Sequence, residues 1–250
     1  MNSLYLAWQD SGRSRAWFPI GRLDADLPHS RFQFGYTCGA ERAAQVAGLR
    51  PLESFPDFRK TYESSELFPL FKNRVMDAGR IDFSEYLHQL DLEPQNADPI
   101  SILSVTGGTR QTDNLEVFPK IEHQADGRFR CRFFLHGSRH VNDAAQRALV
   151  VLKPSDILRV ALELNNPATG LALQIETKDY HMIGWAPRYL IGDLKGAIDH
   201  SPEAVSGKVV RVNPAPAPSN QRVLVELTGR LPSDHSPMSD PDFQLLSDAR

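Results

Sequence analysis

Apolar positions change rhythm along this chain. LYLAW (4–8) and RAWFPIGRL (15–23) flank the polar turn Gln9–Gly12, and RFQFGYT (31–37) alternates apolar with polar. Strand side chains point to alternate faces, so these stretches predict strands, the first two as a pair. Helical spacing follows. Ala40–Val46 is Ala-rich and precedes Gly48, which suits the left-handed residue after a helix. Leu67, Phe68, Leu70, Phe71, Val75 and Met76 predict a helix over 65–78, with Pro69 near its start. Asp82 with Glu85 resembles a capping box and predicts a helix burying Tyr86, Leu87 and Leu90. Asp98-Pro99 predicts a short helix through Val105, ended by Gly107-Gly108, and NLEVFP (114–119) reads as a strand.

From residue 128 the pattern is mainly β. RFRCRFFLHG sets Phe129, Cys131 and Phe133 on one face and Arg128, Arg130 and Arg132 on the other. ILRVALEL (157–164), GLALQIET (170–177) and HMIGWAP (181–187) predict further strands, separated by turn signals at 153–156 and 165–170. RYLIGDLKGAI (188–198) predicts a short helix. KVVRVN and RVLVELTG predict a hairpin across the stiff loop Pro214–Pro218. After Leu231 the acidic, Pro- and Ser-rich composition predicts a weakly ordered tail. The expected fold class is α+β: strands and short helices over 1–119, a β-rich domain over 120–231, and the tail over 232–250. No internal repeat is present.

Charge sharpens this division. The chain has 28 Lys and Arg against 31 Asp and Glu, net −3, which argues against a basic coat for gripping duplex DNA. Residues 120–160 carry 8 basic and 4 acidic side chains, net +4, whereas 1–119 carry 12 and 16, net −4. Cys38 and Cys131 make neither a disulfide framework nor a CxxC zinc knuckle. The N-terminus lacks a long apolar h-region, and no run of about 18 apolar residues occurs. A reduced cytoplasmic protein with no membrane partner is the expectation.

The densest chemistry is HGSRH, residues 136–140. HxxxH on a helix would aim His136 and His140 at one zinc ion. Here the pair follows a strand, contains Gly137, lacks the Glu of HExxH, and has only Asp143 nearby as a third ligand. Two other readings stand beside the metal. His and Arg can close a turn on the backbone or on each other, or Ser138, Arg139 and the backbone can donate to a phosphate. Gly107-Gly108-Thr109-Arg110 is open to the same choice between a phosphate cradle and a helix cap. Trp185 and Tyr189 flank Pro187-Arg188, with Tyr180 at the preceding turn. They either pack in the core or form stacking platforms beside a phosphate-binding Arg188, the composition of a single-strand site. No GxSxG elbow, Cys-His signature, Rossmann glycine pattern or kinase set occurs, so the expectation is a non-enzymatic protein with no cofactor.

Taken in order, the strand entering HGSRH, LKPSD before ILRVALE, Asn166-Pro167 before LALQI, and IGWAPRYL resemble a HIRAN domain over residues 128–198. The resemblance implies a small β-barrel related to OB-folds, found attached to DNA-repair helicases and alone in bacteria. In the helicase-linked members it captures the 3′ end of single-stranded DNA. Gly184, Pro187 and Arg188 match the family's closing Gly-x-x-Pro-Arg, while Ala168 and Thr169 stand where the helicase-linked pattern has Tyr-Asp. More faintly, GRL (21–23), RFQFGY (31–36) and ELFPLFKNRVM (66–76) are similar to the N-terminal subdomain of HipA-type toxin kinases, without the kinase body. The resemblance implies a DNA-binding protein, for single strands or ends, in bacterial repair or defence. His136, Ser138, Arg139, His140 and Arg188 would contact phosphate, and Tyr180, Trp185 or Tyr189 would stack on bases. The competing expectation is a protein-interaction module of a toxin–antitoxin or defence complex, with its protein partner bound through residues 1–119.

Overall fold

The computed structural model describes residues 2–12 and 14–248. The chain divides into two compact units, one of Met1–Glu85, Glu93–Lys120 and Met238–Arg250, the other of Tyr86–Leu92 and Ile121–Pro237. In chain order the first elements are β1 (Asn2–Gln9), β2 (Trp17–Asp26), β3 (Arg31–Tyr36), α1 (Cys38–Ala47), β4 (Tyr62–Ser64) and α2 (Pro69–Lys72). α3 (Phe83–Gln89), α4 (Pro99–Thr106) and β5 (Leu115–Pro119) follow. The strands form one antiparallel sheet in the order β4-β3-β2-β1-β5. Its core centres on Phe34, fully buried and stacked on Phe55 at 4.0 Å between ring centroids, with Tyr36 and Phe71 against its other sides. α1 ends at Gly48 in the left-handed conformation, and α4 is capped by Asp98, whose carboxylate accepts from the Ile100 and Ser101 amides.

Two expectations fail in this unit. The helix over 65–78 shrinks to the four residues of α2. Leu67 and Phe71 are buried, and then the chain turns out at Asn73. There Arg74 reaches back to the Leu70 carbonyl at 3.0 Å and the Gly108 carbonyl at 2.8 Å, and pairs with Asp113. Asp77 then accepts from the Gly79 amide at 2.7 Å, a side-chain turn that competes with helix. The tail expected to be weakly ordered over 232–250 is instead divided, 232–237 going to the second unit and 238–248 packing on this one, with 249–250 outside the described residues. Leu245 and Leu246 are buried, the Leu246 amide donates to the Tyr36 carbonyl, and the Cys38 amide donates to Gln244. Asp242 pairs with Arg42. Gly39 makes room: a Cβ there would lie 3.0 Å from the Asp242 carbonyl oxygen and 2.1 Å from that of Pro19. Two adjacent leucines outweigh the polar composition around them.

The second unit continues with β6 (Glu122–His123), β7 (Arg128–Phe134), α5 (Asp143–Val151), β8 (Ile157–Asn166), β9 (Gly170–Thr177) and β10 (Met182–Trp185). α6 (Ile191–His200), β11 (Ser206–Val212) and β12 (Val223–Arg230) complete it. The sheet order is β10-β9-β8-β11-β12-β7-β6, antiparallel throughout. The expected barrel is therefore not closed as a continuous ladder. One bridge joins the extension of β7 to β10, with the His136 amide donating to Trp185 at 3.0 Å and the Trp185 amide to His136 at 2.9 Å. The β11–β12 hairpin is not an appendage either; it lies inside the sheet between β8 and β7. Phe129 and Phe133 of β7 are buried with Val225, Leu227, Leu173 and Ile175, while Arg128 and Arg130 are exposed. Burial pushes the Cys131 thiol up to about 12, which keeps it protonated at neutral pH.

The residues 188–198 form a 3-10 turn, Arg188–Leu190, leading into α6. α5 was not anticipated from the sequence, although Asn142 accepts from the Ala145 amide at 2.9 Å as an ordinary N-cap. Among the described residues no helix is long and apolar enough to cross a membrane.

Candidate functional site

Trp185 is the meeting point of three segments far apart in sequence. Its backbone pairs with His136, and its indole N–H donates to Glu163 Oε2 at 2.7 Å. Glu163 also accepts from Asn166 Nδ2 at 2.9 Å. Asn166 Oδ1 in turn accepts from the amides of Ala168 at 2.9 Å and Thr169 at 3.1 Å, closing the β8–β9 turn. Burial alone would raise the Glu163 carboxyl, but hydrogen bonds from Asn166, Trp185 and Gln174 outweigh it and hold the group below its ordinary range. Gly137 has a φ of +68°, and a Cβ there would lie 2.5 Å from the Trp185 ring. Only glycine meets both conditions. One ring edge and the N–H of Trp185 are thus already engaged in holding the chain together.

Arg188 follows Trp185 in the 3-10 turn, and its charge reaches His136. Burial first, and Arg188 second, hold the His136 imidazole down to about 4. At neutral pH it offers a hydrogen bond and no charge. Ser138, Arg139 and His140 form another 3-10 turn next to it. The Ser138 carbonyl accepts from Gln146 at 2.7 Å, the His140 amide donates to the Gly137 carbonyl, and Arg139 Nε donates to His140 Nε2 at 3.0 Å. Arg139 and His140 are exposed, and Arg188 and Tyr189 are half-buried.

Tyr180 is not part of this group. It lies at the β9–β10 turn, five residues from Trp185, which along an extended chain is about 16 Å. The register agrees: Thr177 pairs with Leu158 at one end of β8, and Ala172 with Glu163 near the other. Among the described residues no group of three or more His, Cys, Asp or Glu side chains could hold a metal ion. Gly107 caps α4 with a left-handed φ of +70°, and the Gly107 and Gly108 carbonyls accept from Val117 and Arg74, so structural bonds account for that glycine pair.

A second polar region lay in the sequence as the alternation of β7. On its outer face Glu226, buried at 3 %, accepts from Arg132 Nε at 2.7 Å and Lys208 Nζ at 2.8 Å. Arg132 and Arg211 share Asp91, at 3.1 and 2.7 Å. Burial would raise the Glu226 carboxyl, but hydrogen bonds from Lys208 and Arg132 and their charges hold it below its ordinary range. Beside this network an open groove of about 700 Å³ is lined in part by Arg128, Arg130 and Arg230. Arg130 stands 3.9 Å from Glu226, whose oxygens its neighbours already occupy. The second unit carries 14 Lys and Arg against 13 Asp and Glu, net +1, and the first carries 14 against 18, net −4.

No family model matches the chain, and no curated protein matches it. Two solved structures are weakly similar. A crystal structure of a protein from Lactobacillus plantarum gives a TM-score of 0.31 at 16% identity, covering 40% of this chain and 92% of that one. The crystal structure of the HIRAN domain of human HLTF gives a TM-score of 0.30 at 18% identity, covering 44% of this chain and 79% of that one.

Proposed function

We propose that the second unit binds nucleic acid without catalysing a reaction on it, and that its ligand is single-stranded DNA or a DNA end in bacterial repair or defence. The observation that carries this reading is the convergence at Trp185 of residues 136–140, 163–169 and 184–189, the same segments that resemble a HIRAN domain in sequence. The polar side chains around that point suit the task. Arg139 and Arg188 supply charge for phosphates, Ser138 and neutral His136 supply uncharged hydrogen bonds, and Tyr189 supplies an aromatic ring. Trp185, held by its N–H and one ring edge, fixes these segments together.

Fluorescence anisotropy with labelled 3′-overhang, 5′-overhang and blunt DNA at low salt tests the reading. Binding with preference for a single-stranded end is expected. Replacing both Arg139 and Arg188 with Ala should weaken it and reduce the slope of log K against log salt by about 1.4 for two lost contacts. Absence of binding to every DNA at low salt would end the proposal, because phosphate contacts are strongest there.

A further inference from the structure

In the second unit the chain passes through the left-handed region at Asp91, Gly127, Gly137, Ser155, Gly170 and Tyr180, and of these Tyr180 alone carries a bulky side chain. Before β7 the residue is Gly127, with φ +80°, and between β8 and β9 it is Gly170, with φ +73°. Between β9 and β10 it is Tyr180, with φ +63°. Glycine takes this conformation freely, whereas a bulky side chain there is strained. The turn itself is well formed, the Tyr180 amide donating to the Thr177 carbonyl at 3.0 Å and the His181 amide to Thr177 Oγ1 at 3.2 Å. Its hydrogen bonds therefore do not call for an aromatic side chain.

Nor does packing. Tyr180 is 69% exposed, so its ring adds little to the core. What touches it is Arg159, whose guanidinium lies 4.7 Å from the ring centroid. Arg159 is itself exposed and sits directly across from Glu176 in the β8–β9 register, yet it makes no ion pair with that carboxylate. A cation–π contact at an exposed site is weak, at most comparable with the strain. Stability thus gives no reason for tyrosine at this turn.

We infer that Tyr180 and Arg159 form a base-stacking platform for single-stranded nucleic acid, separate from the Trp185 end of β10. Arg159 covers one face of the ring and supplies positive charge, and a nucleobase stacks on the other face. This rests on the nucleic-acid reading of the second unit and adds a contact in the β9–β10 turn, at the other end of β10 from Trp185. A strand a few nucleotides long spans both places, so the platform lengthens the bound segment.

Tyr180→Gly separates function from structure. The variant is expected to melt at the same temperature as the original chain or higher, because the strain is relieved, and to bind a twelve-residue oligothymidylate roughly tenfold more weakly. Tyr180→Phe keeps the ring and should keep the affinity. An abasic phosphodiester chain of the same length should bind the original and Tyr180→Gly alike, because it has no base to stack. If Tyr180→Gly binds oligothymidylate as well as the original chain, the platform is refuted while the nucleic-acid reading stands. If the original chain binds no oligonucleotide, that reading falls and the platform with it.

Discussion

In the first unit the middle of the sheet is a knot of rings: Phe34 on Phe55, Tyr36 and Phe71, with Phe68 and Tyr62 around Phe55. In the second, the outer face of the central strands is organised around a carboxylate, Glu226, with Arg132 and Lys208 upon it and Asp91 beyond. The second unit also keeps a neutral histidine at the bridge where its sheet ends meet. Apolar packing depends on shape and volume and hardly on pH or salt. Groups held away from their ordinary protonation make stability follow pH. The first unit does contain charge, since Arg74 pairs with Asp113. That pair sits beside the rings and does not replace them.

The largest expected effect tests the aromatic side of the comparison. Phe34→Ala should cost the first unit about 3–5 kcal/mol, read as lost hydrogen-exchange protection in peptides from β2 and β3. The loss should be the same at low and high salt. A strongly salt-dependent loss would contradict the apolar account.

Next comes the bridge of the second unit. Gly137→Ala should cost about 3 kcal/mol, since alanine is strained at φ +68° and its methyl would meet the Trp185 ring. Full protection of the His136 and Trp185 amides in the variant would show that the closure at this point does not depend on glycine.

Acidification should separate the units by a smaller margin. The His136 imidazole titrates near 4 in the folded chain and near 6.5 unfolded, so the unfolded state takes up a proton first. Its contribution to the second unit is full above pH 6.5 and is lost as pH falls towards 4. Glu226 is depressed below 4.5, so what it contributes is present above that value and lost as pH drops further. Hydrogen exchange measured from pH 7 to 4 should show the second unit weakening while the first holds. His136→Gln should flatten the curve between 6.5 and 4. Equal weakening of both units across that range would erase the contrast.

Much of this arrangement was legible where local pattern and tertiary need agree. The alternation of β7, the caps of α4, and Gly48 after α1 all specify locally what the fold requires. The 65–78 segment misleads because its apolar residues fill the core from a turn as readily as from a helix, and Arg74 is needed elsewhere. The tail misleads because average composition hides Leu245 and Leu246. For the candidate site, HGSRH and GWAPR are adjacent through the His136–Trp185 bridge, and Tyr180 belongs to another place. Periodicity says which face a side chain takes. It does not say which end of a sheet two turns share, because that depends on register across strands.

The return of residues 244–246 to Tyr36 and Cys38 also bears on the order in which this protein can be completed. Roughly a hundred and twenty residues separate Lys120 from that last strip, which at ribosomal speed is about 6–25 s of synthesis. During that interval most of the first unit has left the ribosome with the backbone at Tyr36 and Cys38 still unpaired and the seat of Leu245 and Leu246 uncovered. Its final layer is supplied only after the entire second unit has been made, so of the two units the one begun earlier is completed later.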